Sequence, residues 1–351
     1  MIKRFEQFSA SDRFEGDSAE ELTKWQREKR ILLKHLMGLD KLESSGPFKQ
    51  TLTEQGSEVI EDGITRTKYI FRVDEYTYMP LYILRPKGES KGTFLALAGH
   101  GGAGKYSVAG VKEIPVVAQR IDFYNYDYGV KLARLGWTVI CPDPRGFGER
   151  RDSYAQGDDD ASFTSCSCRN LSHMAVPLGI TVIGLCTYDH IRLIDYLEES
   201  EEFDISDLGC LGFSGGGMQT LYLSAVDERI KHAYISGYMY GFKDSLLILN
   251  NNCSCNYIPG LWEHFDMGDI GAMIAPRPLF IQSCADDHLN GPRGLANVYE
   301  QMDILKKAYG IFGEPEVLIH DIRPGEHHFH DEPIADTVRS FTDHIRKKEN
   351  I

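Results

Sequence analysis

No run of apolar residues in this chain approaches the roughly 18 that a membrane-spanning helix requires. The opening MIKRFEQFSASDRFEG also lacks the apolar core of a signal peptide. No membrane association is expected, and a cytoplasmic location is. Positive charge is scarce: 38 Lys and Arg stand against 52 Asp and Glu, a formal net charge of −14, and no compact basic patch offsets it. Such a surface repels phosphate backbones and anionic lipid, so nucleic acid is not an expected partner. There is no internal repeat, low-complexity tract or Pro/Ser-rich linker, which favours one large domain over several.

Cysteine is also sparse. Eight in 351 residues are too dilute for a disulfide scaffold. Two pairs stand out, Cys166 with Cys168 and Cys253 with Cys255. Each is CxC, tighter than the CxxC-like spacing on which two thiolates chelate a metal comfortably. The thiols are read as buried or loop residues, and neither a metal nor an organic cofactor is expected.

What is present follows a clear order. Ser18 with Glu21 forms a capping box, Leu22, Trp25, Leu32, Leu33 and Leu36 fall roughly on one helical face, and Gly38 ends the helix. From about Ser57 to Arg85, TRTKYIFRV and YMPLYILRP alternate like antiparallel strands at a sheet edge. Six short apolar runs follow at helix-length intervals: TFLALAG, WTVICPD, LGCLGFS, HAYISGY, PLFIQSC and EVLIHDI. Such runs fit strands buried on both faces of a mostly parallel sheet, giving an α/β class with helices on both faces. The expected organisation is a helical extension over residues 1–56, then one domain over 57–351. Residues 241–269, which have no clean period, are expected to form an insertion walling a pocket.

Between an apolar strand and a helix, GFSGGG satisfies G-x-S-x-G with Gly212, Ser214 and Gly216. On such a turn Ser214 is a candidate nucleophile, and Gly215 places an amide where an oxyanion would form. A serine needs a base, and both partners follow in the required chain order. CADDHLNGP puts Asp286 and Asp287 at one strand end, and RPGEHHFHD puts His327, His328 and His330 at the next. A metal site using His327, His330 and Asp331 is the rival reading of that cluster, but no matching ligand group stands out elsewhere. Upstream, GHGGAGK supplies Gly102 or Ala103 as a second oxyanion donor. It fails as a phosphate loop because no Ser or Thr follows Lys105. Neither glycine loop carries the dinucleotide-binding fingerprint. In DPRGFGE, Arg145 either braces neighbouring loops or reaches substrate, the bracing role being the commoner one for a buried guanidinium.

Taken together, GHGG, DPRGFGE, GFSGGG, APRPLFIQSCADD and PGEHHF resemble α/β-hydrolases of the acetyl xylan esterase and dienelactone hydrolase-like group, from about residue 60 onward. NNCSCNYIPGL is similar to a segment of bacterial acetyl xylan esterases. The resemblance implies Ser214 as nucleophile, His327 as base and Asp287 as the acid that orients it. Cys284 stands where the family has glycine, which keeps Asp286 as the alternative acid. By resemblance the leading substrate is an acetylated oligosaccharide; methyl or feruloyl esters, peptidase or thioesterase chemistry on the same triad, and a non-catalytic triad-bearing scaffold are the other readings. Tyr240, Tyr257 and Trp262 are open to two roles, stacking on sugar or packing the insertion. A monomer and a homo-oligomer both remain open.

Overall fold

The structure is a computed structural model that describes residues 2–8, 11–43, 48–155, 157 and 159–349. Its centre is a nine-stranded sheet in the order β1-β2-β3-β5-β4-β6-β7-β8-β9. Strands β1 (Thr51–Val59), β2 (Thr65–Arg72) and β3 (Tyr78–Arg85) run antiparallel along one edge. β5 (Thr138–Pro142), β4 (Thr93–Leu97), β6 (Gly209–Phe213), β7 (His232–Ser236), β8 (Leu279–Cys284) and β9 (Leu318–Arg323) pair in parallel. Every residue of β4 to β8 is buried, as two-sided burial of a parallel sheet requires.

The six apolar runs therefore all became parallel strands. The boundary at residue 56 did not hold, because β1 begins at Thr51 and pairs with β2 from Thr51 opposite Arg72 to Val59 opposite Thr65. Leu52 is the one residue of β1 that is not exposed, so no buried–exposed alternation marks this strand.

The N-terminal helix spans Ala19–Met37, capped by Ser18 and Glu21 and closed by Gly38 in the left-handed region. It lies against the domain itself. Leu22, Leu33 and Met37 are completely buried, each contributing roughly 1.5–3 kcal/mol. Gln26 donates to the carbonyls of Ala272 and Ala275, and Arg30 donates to those of Ala225 and Met273. Among the described residues no single helix is long and apolar enough to cross a membrane.

Chain order along the sheet reverses between β4 and β6, where β5 leads one way and β7 the other. Loops leaving the carboxyl ends of strands on either side of such a point diverge and open a crevice. The GHGG and GFSGGG segments leave the sheet there, side by side.

Candidate active site

Ser214 links β6 to the helix Gly215–Val226 with φ 57° and ψ −120°, a conformation rare for a residue with a side chain. Two close approaches impose that turn. A Cβ on Gly212 would sit 2.1 Å from the Gly216 carbonyl oxygen, and one on Gly216 would sit 1.9 Å from that of Leu97. The Ser214 amide donates to the Ser236 carbonyl (2.8 Å), tying the turn to the end of β7.

Asp287 follows β8 and is buried. Its Oδ1 accepts the Leu289 amide at 2.9 Å, and its Oδ2 lies 2.5 Å from His327 Nδ1. With one carboxylate oxygen fixed by backbone and the other on the imidazole, the ring is held with Nε2 outward from the acid. Phe213 packs on that ring, centroids 4.5 Å apart. His327 Nε2 is buried and has no hydrogen-bond partner among the described residues. It is free to accept from a hydroxyl.

Ser214 and His327 line one cavity of about 360 Å³, with Gly101, Gly215, Tyr238 and Tyr240 around them. Asn251, Asn252 and Asn256 also line it. No Lys or Arg is among the described residues that line it.

The remaining sequence candidates fall elsewhere. Asp286 is exposed, with its amide bonded to the Gly325 carbonyl. His328 turns its Nδ1 to the Phe123 carbonyl at 3.1 Å, outside this cavity. Arg145 forms a two-pronged pair with Asp189 (2.9 and 2.7 Å), which Arg150 joins at 2.8 Å, tying the DPRGFGE loop to the helix Val182–Glu199. Asp189 is fully buried, which pushes its carboxyl up, yet Arg145 and Arg150 outweigh burial and hold it at about 2.

Gly102 is a correction. It does not line the cavity; a Cβ there would meet Ser107 Oγ at 2.4 Å, and Ala103 is likewise buried away from it. The wall is formed one residue earlier by Gly101 and by His100, whose carbonyl is held by the Tyr126 hydroxyl at 2.9 Å. The loop is tightly wound here, with positive φ at Gly101 (74°), Ala103 (56°) and Gly104 (62°).

Lys105 of the same loop is fully buried between Asp143 Oδ2 (2.7 Å) and Glu149 Oε1 (2.6 Å), far from any phosphate-binding role. His330 and Asp331 diverge from His327: the His330 amide bonds Gln282, and Asp331 accepts from Asn125. Of the three aromatic residues singled out, Tyr240 alone borders the cavity. Tyr257 donates to the Leu246 carbonyl and Trp262 to that of Phe5, with Trp262 stacked on Phe242.

The sequence also missed His100. It is beside the nucleophile turn, and its Nε2 is 3.3 Å from Cys255 Sγ. The two CxC pairs meet at this residue. Their partners are some ninety positions apart, a separation no local spacing can reveal.

Residues 100–245 match the family model of the alpha/beta hydrolase fold. This chain has the α/β-hydrolase fold. The chain is 23% identical over 254 residues to the Bacillus subtilis (strain 168) protein named "Putative hydrolase YtaP", covering 71% of this chain and 79% of the relative. Its structure is similar to that of a "putative acetyl xylan esterase" from Bacteroides fragilis NCTC 9343, with TM-score 0.76, 17% identity, and 97% and 93% of the two chains covered. It is also similar to Methylesterase BT1017, with TM-score 0.66, 17% identity and 99% and 67% coverage. A glucuronoyl esterase from Solibacter usitatus superposes with TM-score 0.64, 14% identity and 92% and 94% coverage.

Proposed function

We propose that this α/β-hydrolase is a serine carboxylesterase that removes small acyl groups, acetyl foremost, from plant-derived oligosaccharides. One observation carries the reading: Ser214 on its strained turn shares a cavity with His327, whose Nε2 is unpartnered and whose Nδ1 is held by Asp287.

In this mechanism His327 Nε2 takes the Ser214 proton as Oγ attacks the ester carbonyl. The Gly215 amide and an amide of the His100–Gly101 turn donate to the oxyanion. His327 then protonates the departing alcohol, leaving an acyl-serine. Water repeats the sequence, His327 taking its proton and returning one to Ser214 Oγ as the acid leaves. Asp287 stabilises the imidazolium in both halves.

The cavity's lining suits a neutral, hydroxyl-rich alcohol. Three asparagine amides and four tyrosines line it, and no Lys or Arg among the described lining residues selects a free acid. The names of the structural neighbours denote esterases, for xylan acetyl, methyl and glucuronoyl esters. Methyl esters of uronic acids are thus the second reading, since an esterified uronate is neutral as well. The cytoplasmic location belongs to the same proposal, and subcellular fractionation tests it.

The test is a substrate panel of acetylated xylo-oligosaccharides, methyl uronates, feruloyl esters, thioesters and peptides. The proposal expects acetate release from the first to have the highest kcat/KM. A preference for thioesters or peptides, or inertness to every ester, contradicts it.

A further inference from the structure

Chemistry-bearing side chains converge immediately behind the oxyanion turn. His100, Cys166, Cys168 and Cys253 each present one nitrogen or sulfur atom, and all four atoms lie within 4.8 Å of one another. Cys166 Sγ and Cys253 Sγ are 3.8 Å apart, and Cys255 Sγ adjoins the group 3.3 Å from His100 Nε2. A tetrahedral zinc ion with Zn–S bonds of about 2.3 Å sets its sulfur ligands about 3.8 Å apart. The Cys166–Cys253 separation already has that value.

We propose that His100, Cys166, Cys168 and Cys253 form a closed tetrahedral zinc(II) site, with Cys255 as a neighbouring thiol. The donors are one imidazole and three thiols without a carboxylate, a set that selects a soft or borderline cation over magnesium or calcium. Four protein donors leave no open position, which makes the site structural. Cys168 is the first residue of the helix Cys168–Ala175. Binding exchanges three thiol protons for the cation.

Packing alone does not account for the group. Cys210, by contrast, sits inside β6 with its Sγ 3.6 Å from Thr220 Oγ1, and burial pushes its thiol up to about 12. It behaves as a small apolar side chain. The clustered residues come instead from three separate segments, and three of the four are only partly buried.

Those segments are the turn after β4, the start of Cys168–Ala175 and the 251–256 stretch of the insertion. Two of them form the cavity wall through Gly101, Asn251, Asn252 and Asn256. The other edge of His100 faces the nucleophile turn, since a Cβ on Gly215 would lie 2.6 Å from His100 Nδ1. The ion therefore acts as a clamp that positions the wall and the oxyanion turn, without touching substrate. This consequence for catalysis rests on the esterase reading; the metal content does not.

The experiment uses the full chain purified without added metal and without a histidine tag. Elemental analysis should find one zinc per chain. Apo protein titrated with cobalt(II) should develop thiolate-to-cobalt charge transfer in the near ultraviolet and the visible bands of tetrahedral cobalt, saturating at one equivalent. Cys253→Ser should lose the zinc and weaken the charge-transfer band, whereas Cys210→Ala should keep both. Chelation should lower Tm and raise KM more than it lowers kcat, while fluorophosphonate labelling of Ser214 persists. Folded apo protein that shows no cobalt–thiolate band, zinc retained undiminished in Cys253→Ser, or a Cys166–Cys253 disulfide found by mass spectrometry would each overturn the site. Labelling lost with zinc and binding intact sinks only the esterase reading.

Discussion

His327 Nδ1 is 2.5 Å from Oδ2 of Asp287, while the adjacent Asp286 is exposed and engages Gly325 through its backbone. One residue along the chain thus separates a carboxylate that orients the imidazole from one that faces solvent. Asp287→Asn keeps the shape but no longer stabilises the imidazolium, and kcat/KM for p-nitrophenyl acetate should fall about 10⁴-fold. Asp286→Asn should stay near wild type. Equal losses in the two variants would contradict the assignment.

The nucleophile turn tolerates no side chain at Gly216, because a Cβ would lie 1.9 Å from a backbone oxygen that cannot move independently. Gly216→Ala should cost about 3 kcal/mol in urea unfolding. Gly56→Ala, where nothing lies within 4 Å, should shift stability by less than about 0.5 kcal/mol. A Gly216→Ala protein as stable as wild type would show that the turn is not so constrained.

Much of this was legible in the sequence because local patterns carried it. The runs around Leu95, Ile140, Leu211, Ile235, Ile281 and Ile319 are continuous and apolar because their strands are buried on both faces or pair at the end of the parallel set. Ser214 and its glycines announced a strand-to-helix turn since only small residues fit there. What stayed hidden depended on distance or on weak patterns. β1 is exposed and does not alternate. Which residue of the GHGG loop reaches the cavity depends on a turn with positive φ at Gly101, Ala103 and Gly104, a path no sequence period describes. Cys166 and Cys253 meet only through the fold, and Asp189, the partner of Arg145, lies 44 positions along the chain from it.

Asp189 neutralises Arg145 and Arg150 in a buried cluster. Asp189→Asn leaves two guanidinium groups without their counter-charge and should cost about 3–5 kcal/mol in urea unfolding. A loss below about 1 kcal/mol would contradict a bracing role for the pair.

Asp269 accepts the Asp266 amide at 2.8 Å in a buried setting, and burial pushes its carboxyl up to about 6. Because the folded value lies above the unfolded one of about 3.9, its contribution to stability is fully present below pH ~4 and is lost as pH rises through about 6. Asp269→Asn retains an oxygen acceptor and does not titrate. The stability of wild type minus that of the variant should therefore decline across this window in pH-dependent unfolding. A difference that is flat or rises with pH would contradict the shift.

The central claim is that Ser214 is the nucleophile. A fluorophosphonate probe, followed by intact-mass and peptide mass spectrometry, tests it most directly. The account predicts one adduct per chain, located on Ser214, absent in Ser214→Ala and accompanied by loss of p-nitrophenyl acetate hydrolysis. An adduct on another residue, or undiminished hydrolysis in Ser214→Ala, would contradict it.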